Sequence, residues 1–359
     1  MRRKVLLLLA PMLMGVEATE LSSRDGANLQ SPVWAPDGNR LAYEANFHDI
    51  KSIELFVGDA DTRQFTMVTP IQRGTSQLTL GFASQAAEGT VAHEISWAPP
   101  PLDHYVYAAS GDLKDYDLYL SGAGALATAP GADGGPAWSP DGRFVAFTSA
   151  RTGQGDIYLL DMSAVELPPR QLTSDPTAAE LFVVWSPDGQ RMAWVGHTDH
   201  GDNIWVADGL DAAPRQLTEW SRSQLRPTFS PDGEKVAFYS NHDAEDRFDL
   251  YVVGVKSGPP VLLAKDVELN TRGPTWAPDG RHVLYVANDD TRFDPLSAVT
   301  TTPPFRVQTI NVGTVSHGDL DVTSGSGGGL RIAFVAQGKT NDPARDYKRL
   351  FLAEVTRLQ

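Results

Sequence analysis

The feature that most constrains this chain is a five-residue phrase that keeps returning. Trp34-Ala-Pro-Asp-Gly38 recurs as Trp138-Ser-Pro-Asp-Gly142, Trp185-Ser-Pro-Asp-Gly189, Phe229-Ser-Pro-Asp-Gly233 and Trp276-Ala-Pro-Asp-Gly280. A degenerate copy stands at Trp97-Ala-Pro-Pro-Pro101. Another has lost the phrase but keeps the frame at Leu320-Asp-Val-Thr-Ser324. With Val322 as the anchor of that last copy, successive anchors lie 63, 41, 47, 44, 47 and 46 residues apart. A fixed period of this size marks an array of supersecondary units, none of which can bury its apolar face alone.

The residues after each anchor repeat as well. Leu41-Ala-Tyr43, Tyr105-Val-Tyr107, Val145-Ala-Phe147, Met192-Ala-Trp194, Val236-Ala-Phe238, Val283-Leu-Tyr285 and Ile332-Ala-Phe334 are short runs of β-strand type. After a polar turn comes a second run, for example Ile157-Tyr-Leu159 and Leu250-Tyr-Val252. Several units end in a third signature, Arg170-Gln-Leu-Thr173 and Arg215-Gln-Leu-Thr218. Pro-Asp-Gly is a turn sequence: proline presets φ, aspartate bonds its own backbone and glycine accepts φ > 0. The recurring aspartates therefore read as structural rather than catalytic, and the aromatic before them as packing between sheets.

Four strands per unit at this period predict an all-β propeller of four-stranded blades. Counting anchors gives seven blades, with six as the alternative. The last unit has only three strands before Gln359. Leu172 precedes its next anchor by 13 residues, Leu217 by 12, and Leu21 precedes Trp34 by 13. Thr19 to Ser22 thus falls where an outer strand belongs, and is expected to close the ring beside Leu350, removing two exposed sheet edges.

The N-terminus reads as a signal peptide: Arg2, Arg3 and Lys4, then an apolar run from Val5 to Met14, then Val16-Glu17-Ala18 as the cleavage signal. Residues 1–18 would be removed and 19–359 form a single propeller domain. The apolar run is too short to span a bilayer comfortably, so no stable membrane insertion is expected after cleavage, and a periplasmic or secreted location is. With no cysteine, disulfides, thiolate catalysis, cysteine metal sites and a lipid-modified N-terminal cysteine are excluded. A formal charge of −15 argues against nucleic acid.

The WSPDG phrase, the strand after it, Asp156-Ile-Tyr158 and Arg-Gln-Leu-Thr together resemble the TolB-type, WD40-like propeller repeat over roughly residues 30 to 356. The resemblance implies a propeller and a periplasmic habit. TolB itself carries six blades behind a small α/β domain, for which too few residues precede Trp34 here. Related propellers include noncatalytic ones fused to prolyl oligopeptidases and periplasmic oligogalacturonate lyases.

Function is expected where the repetition stops. The turns between second and third strands share a face with the segments leading into each anchor strand. Those segments hold Gln30, His93, Glu94, Glu180, Arg226, Arg272 and His317, which would ring the channel mouth. Arg226 and Arg272 read as equivalent positions on adjacent blades. Their guanidinium forks suit a carboxylate, or equally salt bridges to neighbouring blades. His197, Asp199 and His200 are weak metal candidates, lying in a loop with no HExxH helix. No cofactor is predicted, though a divalent cation is left open. A polar insertion of about 16 residues within Thr69 to Val91 is either a lid or an ornamented outer strand. No nucleophile elbow or phosphate loop is present. The leading expectation is a scaffold binding a protein or peptide of the cell envelope. The alternative is a polysaccharide-directed lyase or hydrolase, with an oligosaccharide as ligand and His93 or His317 as base.

Overall fold

The computed structural model describes residues 14–22, 27–47, 52–68, 91–110, 116–288, 294–314, 317–337 and 347–358. They form seven four-stranded antiparallel blades. Blade 1 comprises Asn28–Trp34, Arg40–Phe47, Ser52–Asp59 and Gln64–Val68. Blade 2 comprises Val91–Trp97, Tyr105–Ser110, Asp117–Leu120 and Gly124–Ala127. Blades 3 to 6 begin with the innermost strands Asp133–Trp138, Ala179–Trp185, Gln224–Phe229 and Thr275–Trp276. Blade 7 holds Leu320–Ser324, Leu330–Gln337 and Lys348–Val355. Among the described residues no helix is long and apolar enough to cross a membrane.

The fourth strand of blade 7 comes from the other end of the chain. Thr19–Ser22 pairs antiparallel with Lys348–Val355, with Thr19 opposite Leu352 and Ser22 opposite Leu350. Leu21 is buried in the contact between blades 7 and 1, and Ser22 Oγ lies 2.8 Å from Tyr43 Oη. The expected ring closure is thus present, and seven is the blade number. Just upstream, Met14–Gly15 pairs in parallel with the outer strand of blade 6.

What holds the ring is a set of apolar layers between blades. Seven buried clusters each draw on two neighbouring blades, one for every interface of a closed ring of seven. Three of the five anchor tryptophans add direction to this packing. Trp97 Nε1 donates to Val33 O (3.3 Å), Trp185 Nε1 to Ala137 O (3.1 Å) and Trp276 Nε1 to Thr228 O (3.2 Å), each in the preceding blade. A bond of this kind contributes about 1 kcal/mol.

The Pro-Asp-Gly aspartates do the turn work assigned to them. Asp188 Oδ1 accepts from Ser186 Oγ (2.5 Å) and from Gln190 N (3.0 Å), and Asp141 and Asp232 repeat the pattern. The following glycines sit at φ between 66° and 73°, where a side chain would be strained.

Candidate functional site

The innermost strands of blades 1 to 5 each contain a β-bulge. The register shifts between Gln30 and Val33, His93 and Ser96, Gly134 and Ala137, Leu181 and Val184, and Leu225 and Thr228. The third residue before the anchor takes a left-handed φ: Ser31 51°, Glu94 54°, Gly135 59°, Phe182 58°, Arg226 56° and Gly273 97°. Glycine adopts this conformation freely, whereas other residues pay of order 1 kcal/mol or more. Blades 3 and 6 use glycine. Blades 1, 2, 4 and 5 instead hold side chains there.

Those side chains line the axial mouth. One cavity of about 320 Å³ is bounded by Glu94, Gly135, Phe182, Arg226, Thr271 and Arg272, among others. A second of about 280 Å³ shares Glu94, Arg226, Thr271 and Arg272 and adds Gln30, Ser31 and Glu44.

Its carboxylates knit the ring. Glu44, on the second strand of blade 1, accepts at Oε2 from Gln30 Nε2 (2.9 Å) and Ser31 Oγ (3.2 Å), and at Oε1 from Glu94 N (3.0 Å). Asp319 accepts from Ser31 N (2.9 Å) and Thr271 N (2.7 Å), tying blade 7 to both neighbours. Glu94 Oε2 accepts from Gly135 N in blade 3 (2.6 Å). Arg272 reaches across the mouth, donating from Nη2 to Ile95 O (2.7 Å).

Arg226 differs. Its guanidinium stacks on the Phe182 ring, 3.9 Å from the centroid. Among the described residues no hydrogen bond or ion pair reaches that guanidinium. Burial lowers its pKa; Glu94 opposes the shift and Arg272 adds to it.

Of the residues picked out in sequence, Gln30, Glu94, Arg226 and Arg272 are brought together at the mouth. Arg226 and Arg272 are not equivalent, however. They lie three and four residues before their anchors, because blade 6 keeps only Thr275–Trp276 as its innermost strand and places Gly273 at the bulge position. The backbone of His93 pairs with Ala108 in blade 2; its side chain lies outside the described residues.

Glu180 and His317 are buried and line neither of the two mouth cavities. Both stand five residues before an anchor, where Asp133 and Gln224 are also buried. Glu180 is 4% exposed, with Oε2 unpartnered. Burial, reinforced by the charge of Asp156, pushes its carboxyl up to about 7. His317 Nε2 bonds Thr314 Oγ1 (2.8 Å), its Nδ1 donates to Asp294 O (2.7 Å), and its ring packs on Phe334.

His197 Nδ1 pairs with Asp202. Among the described residues no three His, Asp or Glu side chains converge on a point that could hold a metal ion, so His197, Asp199 and His200 are not gathered into a site. The insertion expected within Thr69 to Val91 lies outside the described residues apart from Val91, as do most of the turns at Asn46–Asp49, Gly111–Asp117 and Asn288–Asp290.

Glu44, Ser31, Phe182, Thr271 and Asp319 were not singled out in the sequence. Glu44 left a signal: ten residues after its anchor it places a charge where blades 4, 5 and 6 have Val195, Tyr239 and Val286.

A closed seven-bladed propeller with a polar mouth of non-repeating side chains is the class of protein defined here. Residues 170–293 of the chain match the TolB beta propeller domain. The Tol-Pal system protein TolB of Alcanivorax borkumensis is 27% identical over 33% of this chain and 27% of its own length. The chain spans between 18% and 49% of the curated relatives it matches. TolB from Acinetobacter baumannii overlays with a TM-score of 0.54 at 20% identity, over 76% of this chain and 66% of that one. Oligogalacturonate lyase from Vibrio parahaemolyticus overlays with a TM-score of 0.63 at 11% identity, over 96% and 95%. At such identities the overlays speak for the fold alone.

Proposed function

We propose that this chain is an exported TolB-type binding propeller of the cell envelope that engages a protein or peptide partner at its mouth face. One observation carries the reading. Four non-glycine residues, Ser31, Glu94, Phe182 and Arg226, are held in left-handed backbone at a position where blades 3 and 6 use glycine. Strain kept at one ring of positions, with different side chains in each blade, fits a recognition surface better than a packing device. The match to TolB repeats supports the envelope setting, and the apolar N-terminal run with Val16-Glu17-Ala18 supports export.

The test is capture from an envelope extract with the wild-type chain and with the double variant Arg226→Glu, Arg272→Glu. A partner enriched by the wild type and lost with the variant is expected. Equal recovery by both would remove the mouth from the account.

The lyase alternative needs a base at the mouth to take a sugar C5 proton. His317 has both ring nitrogens engaged and is 5% exposed, so in this arrangement it is not that base. A screen for unsaturated uronate products checks the alternative directly.

A further inference from the structure

We infer that the recess between Phe182, Arg226 and Arg272 is a carboxylate-binding subsite. The inference rests on the reading of the mouth as a binding face and specifies what enters it.

A guanidinium carries five N–H donors in a rigid planar fork. At Arg226 the ring of Phe182 covers one face of that plane, which leaves the edge for an acceptor lying in the plane. Nothing in the described protein supplies one. Both oxygens of Glu44 and both of Asp319 are already bonded within the ring, and Glu94 Oε2 holds Gly135 N. Glu94, Asp319 and Glu44 act on Arg226 through space, but among the described residues none of them accepts a hydrogen bond from its guanidinium.

Arg272 lines the same recess, anchored through Ile95 O with donors to spare. Two guanidiniums in one partly buried recess, one of them without an acceptor, is an arrangement that an entering anion relieves. A carboxylate matches the fork with two parallel hydrogen bonds.

The size of the recess, about 320 Å³, suits the end of an extended chain rather than a folded surface. A peptide C-terminus and a uronate sugar present the same group. With a chain charge of −15 an acid gains no long-range steering, so the selectivity comes from the fork itself.

The experiment is a calorimetric or NMR titration of the intact protein with three probes: N-acetylated tripeptides with free C-termini, the same peptides as C-terminal amides, and digalacturonate. Binding of the free acids but not the amides identifies a peptide end; binding of digalacturonate identifies a uronate. Either supports the subsite if Arg226→Gln weakens it about tenfold or more, the loss expected for a charge-assisted fork. Arg226→Lys, which keeps the charge but not the fork, should fall between. Should Arg226→Gln fail to fold, the wild type decides: the bound acid should protect Arg226 from an arginine-specific dicarbonyl reagent. No binding of any acid, equal binding of acids and amides, binding unchanged in Arg226→Gln, or no protection would overturn the inference. Capture of an Arg226-dependent partner alongside such a result would leave the binding face standing and remove only the carboxylate.

Discussion

Glu180 offers a prediction with a worked sign. It is buried between blades 3 and 4, beside Asp156, with Oε2 unpartnered. Its carboxyl rises from the ordinary 4.5 to about 7, chiefly through burial and then through the Asp156 charge. A carboxyl whose value is raised by folding binds its proton more tightly in the folded state. The folded form therefore gains on the unfolded as pH falls from about 7 towards 4.5, and carries the full penalty above 7. For this separation the penalty is about 3 kcal/mol. Glu180→Gln keeps the shape, removes the charge and offers an amide donor towards Asp156. At pH 5 the variant should match the wild type. At pH 8 it should be more stable by up to about 3 kcal/mol, or about 4 °C in midpoint for a chain of this size. Burial also raises Asp321, to about 6, but that contribution is common to both proteins and cancels in the comparison. Urea denaturation at the two pH values measures the difference. A variant no more stable than wild type at pH 8, or stabilised equally at both, would refute the reasoning.

Other outcomes follow from the same structure. Leu21→Ala should destabilise the ring by about 2 kcal/mol or more, and removal of residues 19–22 should cost further because it exposes the edge of blade 7; unchanged melting would show that the N-terminal strand is not needed for closure. Arg226→Gly, which relieves left-handed strain, should leave stability unchanged or raise it by about 1 kcal/mol while abolishing binding; marked destabilisation would make Arg226 a structural residue. Asp188→Ala should cost about 1 kcal/mol by unlocking its turn and leave partner capture intact, since the turn faces away from the mouth. Trp185→Phe should lose about 1 kcal/mol with the indole bond to Ala137 O, read by denaturant midpoint.

The fold was legible because a propeller repeats its instructions. Anchor, turn and strand recur with so little variation that both the blade number and the closing strand could be counted from Trp34 to Val322. The mouth was legible only in part. Position five before the anchor and position three before it look alike as polar residues in a strand-leading segment. The bulge between them decides which one meets the channel, and a bulge leaves no mark of its own in the sequence. Hence Glu94 and Arg226 line the mouth, Glu180 and His317 are buried between blades, and Arg272 sits one residue out of the expected register. Phe182 looked like core and Asp319 like part of a faded repeat. Aligning the segments on their anchors would have separated the two registers, with Glu180 and His317 sharing one and Ser31, Phe182 and Asp319 the other.

The central claim is that partners are met at the mouth. It is tested most directly by site-specific photocrosslinking in the cells that make the protein, with the probe at Phe182 or at Leu167. Leu167 is exposed on a loop between third and fourth strands, on the opposite face. The account predicts a discrete crosslinked partner from position 182 and none from position 167. A partner captured from position 167 and not from position 182 would contradict it.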